Sequence, residues 1–324
     1  MDPQVVKQHA AASLAEASYD PKKLAFLHTG VVVLFSLVTT LLSFLLDWAA
    51  GSAVGLSGIA LRSVLETAQT VLSYASAVVL PFWQIGFIYA AMRYNRRESV
   101  STGSLLEGFR RLGPVFRLNV LLLLFVMGVL FACFYIATTI FTFSPLSDGF
   151  YEALTRLFET AGADIVTPEM VVTLLPHMVG LFVLTGLILL VIGLPFYYRY
   201  RMSEFALMNG AKGALAAMRE SVWITRNRRM ALFRFDLSFW WFYAAQLLIS
   251  AIAFGGQILS LCGISLPVNS DGLYWILFAL QAAAMLVFTR QYGAYYQTAY
   301  ARYYDLLREV AIPTPQQESK RELP

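Results

Sequence analysis

The chain has 324 residues, of which 58% are hydrophobic and only 14% charged, against about 45 to 50% apolar and about 25% charged in a typical soluble domain. So few charges cannot cover the surfaces of the roughly two soluble domains this length would otherwise form, and a bilayer is the solvent that the composition requires. The net charge of +4 does not imply a nucleic-acid partner, because Lys and Arg cluster between apolar runs instead of forming one soluble basic face.

In chain order, an amphipathic head over 1–24 precedes an apolar run that starts near Leu24. The run is longer than the roughly 7 to 15 residues of a signal-peptide core and reads as an uncleaved signal anchor. Cleavage at the Ala-Gly-Ser-Ala stretch after Trp48 is the alternative. Six segments reach the about 20 apolar residues needed to cross a hydrocarbon core of about 30 Å. They are Ala25 to Leu46, Thr70 to Met92, Asn119 to Phe143, Leu174 to Tyr197, Ser238 to Cys262 and Leu273 to Thr289. Pro81 falls inside the second, where a membrane helix tolerates a kink. The expectation is an all-α polytopic membrane protein: one six-span domain over 25–310, two amphipathic cytoplasmic elbow helices, and a disordered polar tail over 311–324.

Basic residues set the orientation, since loops rich in Lys and Arg stay on the cytoplasmic side. With the N-terminus inside, all 24 Lys and Arg except Arg62 and Arg156 fall in cytoplasmic segments. Acidic residues such as Asp47, Glu66, Asp148, Glu152 and Glu159 then lie outside. Both termini are thus expected in the cytoplasm of a plasma-membrane protein. Trp48, Tyr274 and Trp275 mark the outer interface, and Tyr94, Tyr197, Tyr198, Tyr200, Trp240 and Trp241 the inner one. Beyond the last span, Tyr292, Tyr296, Tyr300 and Tyr303 recur at helical spacing and predict a cytoplasmic extension packed on the loops.

The two long cytoplasmic loops resemble each other. Each has a glycine followed by an amphipathic stretch, Gly103 with Leu105, Phe109 and Leu112, and Gly213 with Leu215, Met218 and Val222. This forms a weak internal repeat in which spans two and three echo spans four and five. Beside these stretches lie Arg110, Arg111, Arg226, Arg228 and Arg229, candidate contacts for anionic membrane lipids or a membrane-protein partner. Near an anionic leaflet each basic side chain contributes about 1 kcal/mol of attraction; ordinary inside-positive topology accounts for the same residues without any such contact.

No chemical constellation accompanies this pattern. No Asp, Glu, Lys or Arg stands near the middle of a predicted span, where ionisable groups mark function. His9, His28 and His177 are dispersed, no HExxH or phosphate-binding loop occurs, and Cys133 and Cys262 have no metal-ligand spacing. The chain therefore reads as non-enzymatic, with no catalytic, metal or cofactor site. Asp236 reads as a cap at the start of span five, loosely paired with Arg234. Gln84, Gln246, Gln257 and Gln281 lie within spans as candidate interhelical polar contacts; a polar translocation path is the alternative.

The stretch Phe205 to Trp241 carries a family resemblance. Ala214, Leu215 and Ser221, then a basic segment, then Leu232-Phe233-Arg234-Phe235-Asp236-Leu237-Ser238-Phe239 leading into a span, are similar to a bacterial membrane-protein family catalogued as domain of unknown function 975. A short head helix with Lys7, Ala10 and Leu14 fits the same pattern, while the acidic stretch from Ser144 to His177 departs from it. That family looks related to the membrane domain attached to some glycerophosphodiester phosphodiesterases. The resemblance implies a fold and a lipid-linked setting, not an activity. The functional expectation is a lipid-interacting or accessory component of the bacterial envelope, with a transporter of a lipid or other amphiphile as the alternative.

Overall fold

The structure, a computed structural model, describes residues 2–52, 56–161, 168–252, 254–255 and 270–311. Gln257, Cys262 and the tail beyond Ala311 lie outside the described residues, as does the middle of the acidic stretch expected on the outer side. The fold is all-α, with no strand among the described residues. Helix starts follow local chemistry. Proline opens α1 (Pro3–Ala15), α2 (Pro21–Ser52) and α7 (Pro168–Ile188), a position where its missing N–H costs nothing and its fixed φ suits the helix. Asp2 and Asp20 accept from the amides of Gln4 and Lys22, both at 2.9 Å, and so cap α1 and α2.

Among the described residues, five helices are long and apolar enough to cross a membrane: Pro21–Leu46 of α2, Ala60–Asn95 of α3 (Leu56–Asn95), α5 (Leu112–Thr142), a segment Leu174–Met208, and Gly272–Ala311 of the last helix. A sixth span exists if α11 (Arg229–Leu237) and α12 (Trp240–Ile252) count as one, because the pair passes the same test but bends by 59° at the break between them. The fifth predicted span, Ser238 to Cys262, contains α12, and the separate helix α11 leads into it at an angle; the end of that span lies outside the described residues. Large apolar side chains stand outward on these helices, among them Leu123, Leu124, Phe131, Phe182, Leu247 and Leu248. In water such surfaces would aggregate, whereas in lipid they are the solvated face.

The chain divides into two compact units, 1–118 with 202–324, and 119–201. The smaller unit contains spans three and four together. Phe125 near the start of α5 packs on Phe196 and Tyr200 of α8 (Leu194–Tyr200), and Phe141 near its end packs on Phe150 of α6 (Phe150–Ala161), so the two spans run antiparallel. Between α7 and α8 the helix widens into a π turn over Leu189–Gly193. Pro195 explains it, since its ring and missing N–H disrupt the helical bond toward Val191 and a wider turn relieves the clash. The acidic stretch contributes α6, whose Phe150, Ala153 and Leu154 are half-buried while Glu152 and Thr155 are exposed.

In the larger unit, α2, α3 and the last helix, α13 (Ser270–Ala311), pack on one another. At one end of them gathers a crown: α1, a 3-10 turn Thr102–Leu106, α4 (Glu107–Arg110), α9 (Ser203–Met208), α10 (Ala214–Ile224) and α11. The first elbow approaches α3 at backbone distance. A Cβ on Gly86 would lie 1.9 Å from the Leu105 carbonyl oxygen, and one on Gly108 would lie 2.0 Å from that of Phe82. Glycine is required at both because the obstacle is main chain, which cannot rotate aside. The glycine singled out in the sequence, Gly103, meets no such crowding. We predict that Gly86→Ala or Gly108→Ala destabilises the protein by about 1–3 kcal/mol or more through overpacking. Gly30→Ala, with open space around it, should stay close to wild type. Thermal unfolding in detergent, read by circular dichroism, compares the three.

Candidate functional site

The crown holds the densest polar chemistry among the described residues, and it is organised around α13. Asn95 and Arg96 end α3. Asn95 donates to one Asp305 oxygen at 2.7 Å, and Arg96 grips both, through Nη2 at 2.7 Å and Nε at 3.2 Å. The same Nη2 reaches the side-chain oxygen of Asn209, just after α9, at 2.7 Å. Asn209 donates to the Tyr304 hydroxyl at 3.2 Å, Tyr304 donates to Glu220 of α10 at 2.8 Å, and Arg308 lies 3.3 Å from the same carboxylate oxygen. Two-point gripping of a carboxylate is the geometry a guanidinium favours. Asp305 keeps the Arg96 guanidinium charged, raising its pKa against the opposing effect of burial.

A second cluster holds the break between α11 and α12. Asp236 is buried and accepts a hydrogen bond from Tyr300 of α13; the Tyr243 hydroxyl lies 2.7 Å from that of Tyr296 and 3.1 Å from that of Tyr300. Where the sequence reads Asp236 as a cap at the start of span five loosely paired with Arg234, the structure seats its carboxylate against the Tyr300 hydroxyl. Asp236 sits at the C-terminal end of α11, where a carboxylate opposes the helix dipole, and burial obliges it to find a donor. Lys7 of α1 completes the break. Its ammonium donates to the Ser238 carbonyl at 2.5 Å and lies 4.2 Å from the Phe239 ring centre, so a cation caps carbonyls that the bend has released. Burial lowers the Lys7 pKa; the carbonyl and the ring face offset that cost. His9, one turn on, is pushed below its usual value by burial and by Arg302 and Arg97. Protonating it therefore opposes docking of α1, and this contribution to stability is full above pH about 6.5 and declines as the pH falls below that.

The predicted tyrosine face packs on the loops: Tyr296, Tyr300 and Tyr303 are buried, together with Tyr304, while Tyr292 stays partly exposed. The five predicted arginines occupy different environments. Arg110 is exposed and pairs with Glu107 at 3.1 Å. Arg111 ties the first elbow to α9 through the Leu207 carbonyl at 3.1 Å. Arg226 is exposed, Arg228 reaches the Leu307 carbonyl at 3.5 Å, and Arg229 is half-buried. Of the predicted glutamines, Gln84 lies against the His28 imidazole of α2, Gln246 and Gln281 are half-buried, and Gln257 is outside the described residues. An interhelical hydrogen bond that the sequence reading missed runs from the Gln69 side-chain amide to the Ser43 hydroxyl at 2.7 Å.

The elbows bury only part of their apolar side chains. In α10 the buried side is Ala214, Ala217, Ser221 and Ile224, and Leu215 faces out. Small residues let α10 approach α9 and α13 closely, which leaves the larger apolar side chains on the far face. In the first elbow Leu105 is buried but Leu112 is exposed. Sequence reasoning overlooked Asp305, Glu220 and Asn209. A usable signal existed for the first, since Asp305 is the only acid between Asp271 and Glu309.

Among the described residues no group of three or more His, Cys, Asp or Glu is placed to hold a metal ion. No family model, curated protein or solved structure matches the chain. The family resemblance of Phe205 to Trp241 accordingly rests on those residues alone. Because Asp305 is largely buried and Arg96 about one-third exposed, Asp305→Asn should cost about 1–3 kcal/mol, less than the loss of a fully buried pair. The combined Asp305→Asn and Arg96→Gln variant should lose less than the sum of the two singles, as measured by denaturant unfolding in detergent.

Proposed function

We propose that this chain is a non-enzymatic, lipid-interacting accessory protein of the bacterial plasma membrane, a member of the family it resembles over Phe205 to Trp241. Its termini and crown lie in the cytoplasm, and the two elbows rest on the inner leaflet. One observation carries the reading: the elbows present exposed apolar and aromatic side chains next to exposed arginines at the ends of the spans. Leu106, Leu112 and Phe116 accompany Arg110, while Leu215, Trp223, Met230 and Trp240 accompany Arg226. A soluble crown would bury such residues. At the boundary of a leaflet the apolar groups enter the acyl region and the cations meet headgroups. The inside-positive distribution of Lys and Arg supports the orientation.

A dye-labelled cysteine tests the placement. In a Cys133→Ala, Cys262→Ala background reconstituted into nanodiscs, a nitrobenzoxadiazole label at Leu215→Cys or Leu112→Cys should emit as in an apolar medium. A headgroup-level spin-labelled lipid should quench it strongly. Water-like emission without quenching at both positions would remove the reading.

A transporter of an amphiphile is the second reading, favoured by the break between α11 and α12 beside the buried Asp236, because carriers use discontinuous helices. Flux of a lipid or amphiphile in proteoliposomes that is lost in Gln246→Leu would move this reading to the front.

A further inference from the structure

Several arginines near the helix ends pair with carboxylates. Arg93 pairs with Glu98, Arg96 with Asp305, Arg97 with Glu16, Arg110 with Glu107 and Arg308 with Glu220. The turn between α10 and α11 is the contrast. It places Arg226, Arg228 and Arg229 within four residues, and none of them has an acidic partner within ion-pair distance among the described residues. Arg226 is exposed; Arg228 has a long contact to the Leu307 carbonyl at 3.5 Å. The Nε of Arg229 is closed off from solvent with no hydrogen-bond partner. Withdrawing part of a guanidinium from water without a partner is unfavourable, and two like charges beside it add repulsion. Asn227 takes a left-handed conformation, φ 61°, which tightens the turn and keeps the three cations together. On either side, Trp223 and Met230 are 48% and 64% exposed.

We propose that this turn binds the phosphate of an anionic phospholipid headgroup. The guanidiniums of Arg226 and Arg229 supply the charged donors, since planar forks match phosphate oxygens, and Arg228 adds positive charge while anchored to the end of α13. Trp223 and Met230 contact the upper acyl region and make a lipid, not a free anion, the occupant. The assignment rests on the leaflet placement of the elbows proposed above and adds a specific site to it.

The experiment uses the full-length chain in neutral detergent, titrated with phosphatidylglycerol or phosphatidylcholine and read by native mass spectrometry, with inorganic phosphate as competitor. Wild type should retain phosphatidylglycerol about tenfold more strongly than phosphatidylcholine, and millimolar phosphate should not displace it. Arg226→Gln with Arg229→Gln should abolish that preference, and so should the exposed single variant Arg226→Gln in part, without requiring any change in the fold. Lys22→Gln with Lys23→Gln removes the same number of charges from the exposed start of α2 and should leave the preference in place. Equal loss in both double variants would show a diffuse charge effect, and displacement by phosphate would show a free-anion site; either overturns the proposal. So would an unchanged preference in the Arg226→Gln, Arg229→Gln protein. Because the label at Leu215→Cys reports leaflet contact separately, failure of the site is distinguishable from failure of the placement.

Discussion

The grip of Arg96 on Asp305 is the interaction around which the crown is arranged. Arg96 lies immediately beyond the end of α3 and Asp305 lies far along α13, so their pairing sets how two helices long and apolar enough to cross a membrane meet at the crown. From that point the polar chain through Asn209, Tyr304 and Glu220 brings α9 and α10 into the same assembly. Each member satisfies a neighbour, so the network resists partial opening; loss of one leaves a half-buried charge or amide unmatched.

Two solvents shape the protein differently. Along the spans, lipid accepts any apolar side chain and gives helices little drive to associate, so close contacts there depend on local devices such as the His28 stack on Phe87 and the hydrogen bond from Gln69 to Ser43. In the crown, water restores a hydrophobic driving force. Leu105, Phe205, Phe235, Phe239 and the tyrosines of α13 accordingly form a well-packed interior. The bend at Ser238 lies where these regimes meet. Lys7 satisfies a carbonyl at the break and thereby fastens α1 to the fifth apolar segment, while Asp236 ties the end of α11 to Tyr300 of α13.

The division between paired and unpaired arginines has the same origin. Where a carboxylate could be brought close, as with Glu107 or Asp305, the guanidinium became part of the fold. On the α10–α11 turn, Arg226, Arg228 and Arg229 have no carboxylate within ion-pair distance among the described residues. Sequence position does not separate these cases: Arg110 and Arg111 are adjacent, yet one is exposed and the other holds α9 through a carbonyl.

Several features were legible from residue order alone. Long apolar runs, basic loops and the tyrosine spacing of the last helix determined an all-α chain with five or six apolar crossings and a packed extension, because lipid demands internally satisfied backbone and each of these signals repeats over many residues. Other features depended on residues far apart in sequence. Asp236 carries no local sign that its partner is Tyr300, nor Lys7 that it caps Ser238. Gly86 and Gly108 look ordinary until two backbones are found in contact. The buried face of α10 was not legible either, because amphipathic pattern marks the larger side chains, whereas close helix approach selected Ala214, Ala217 and Ser221. Periodicity determined which segments are helices; only the tertiary structure decided which charges became internal partners and which remained facing out, since that depends on what each helix end meets in space.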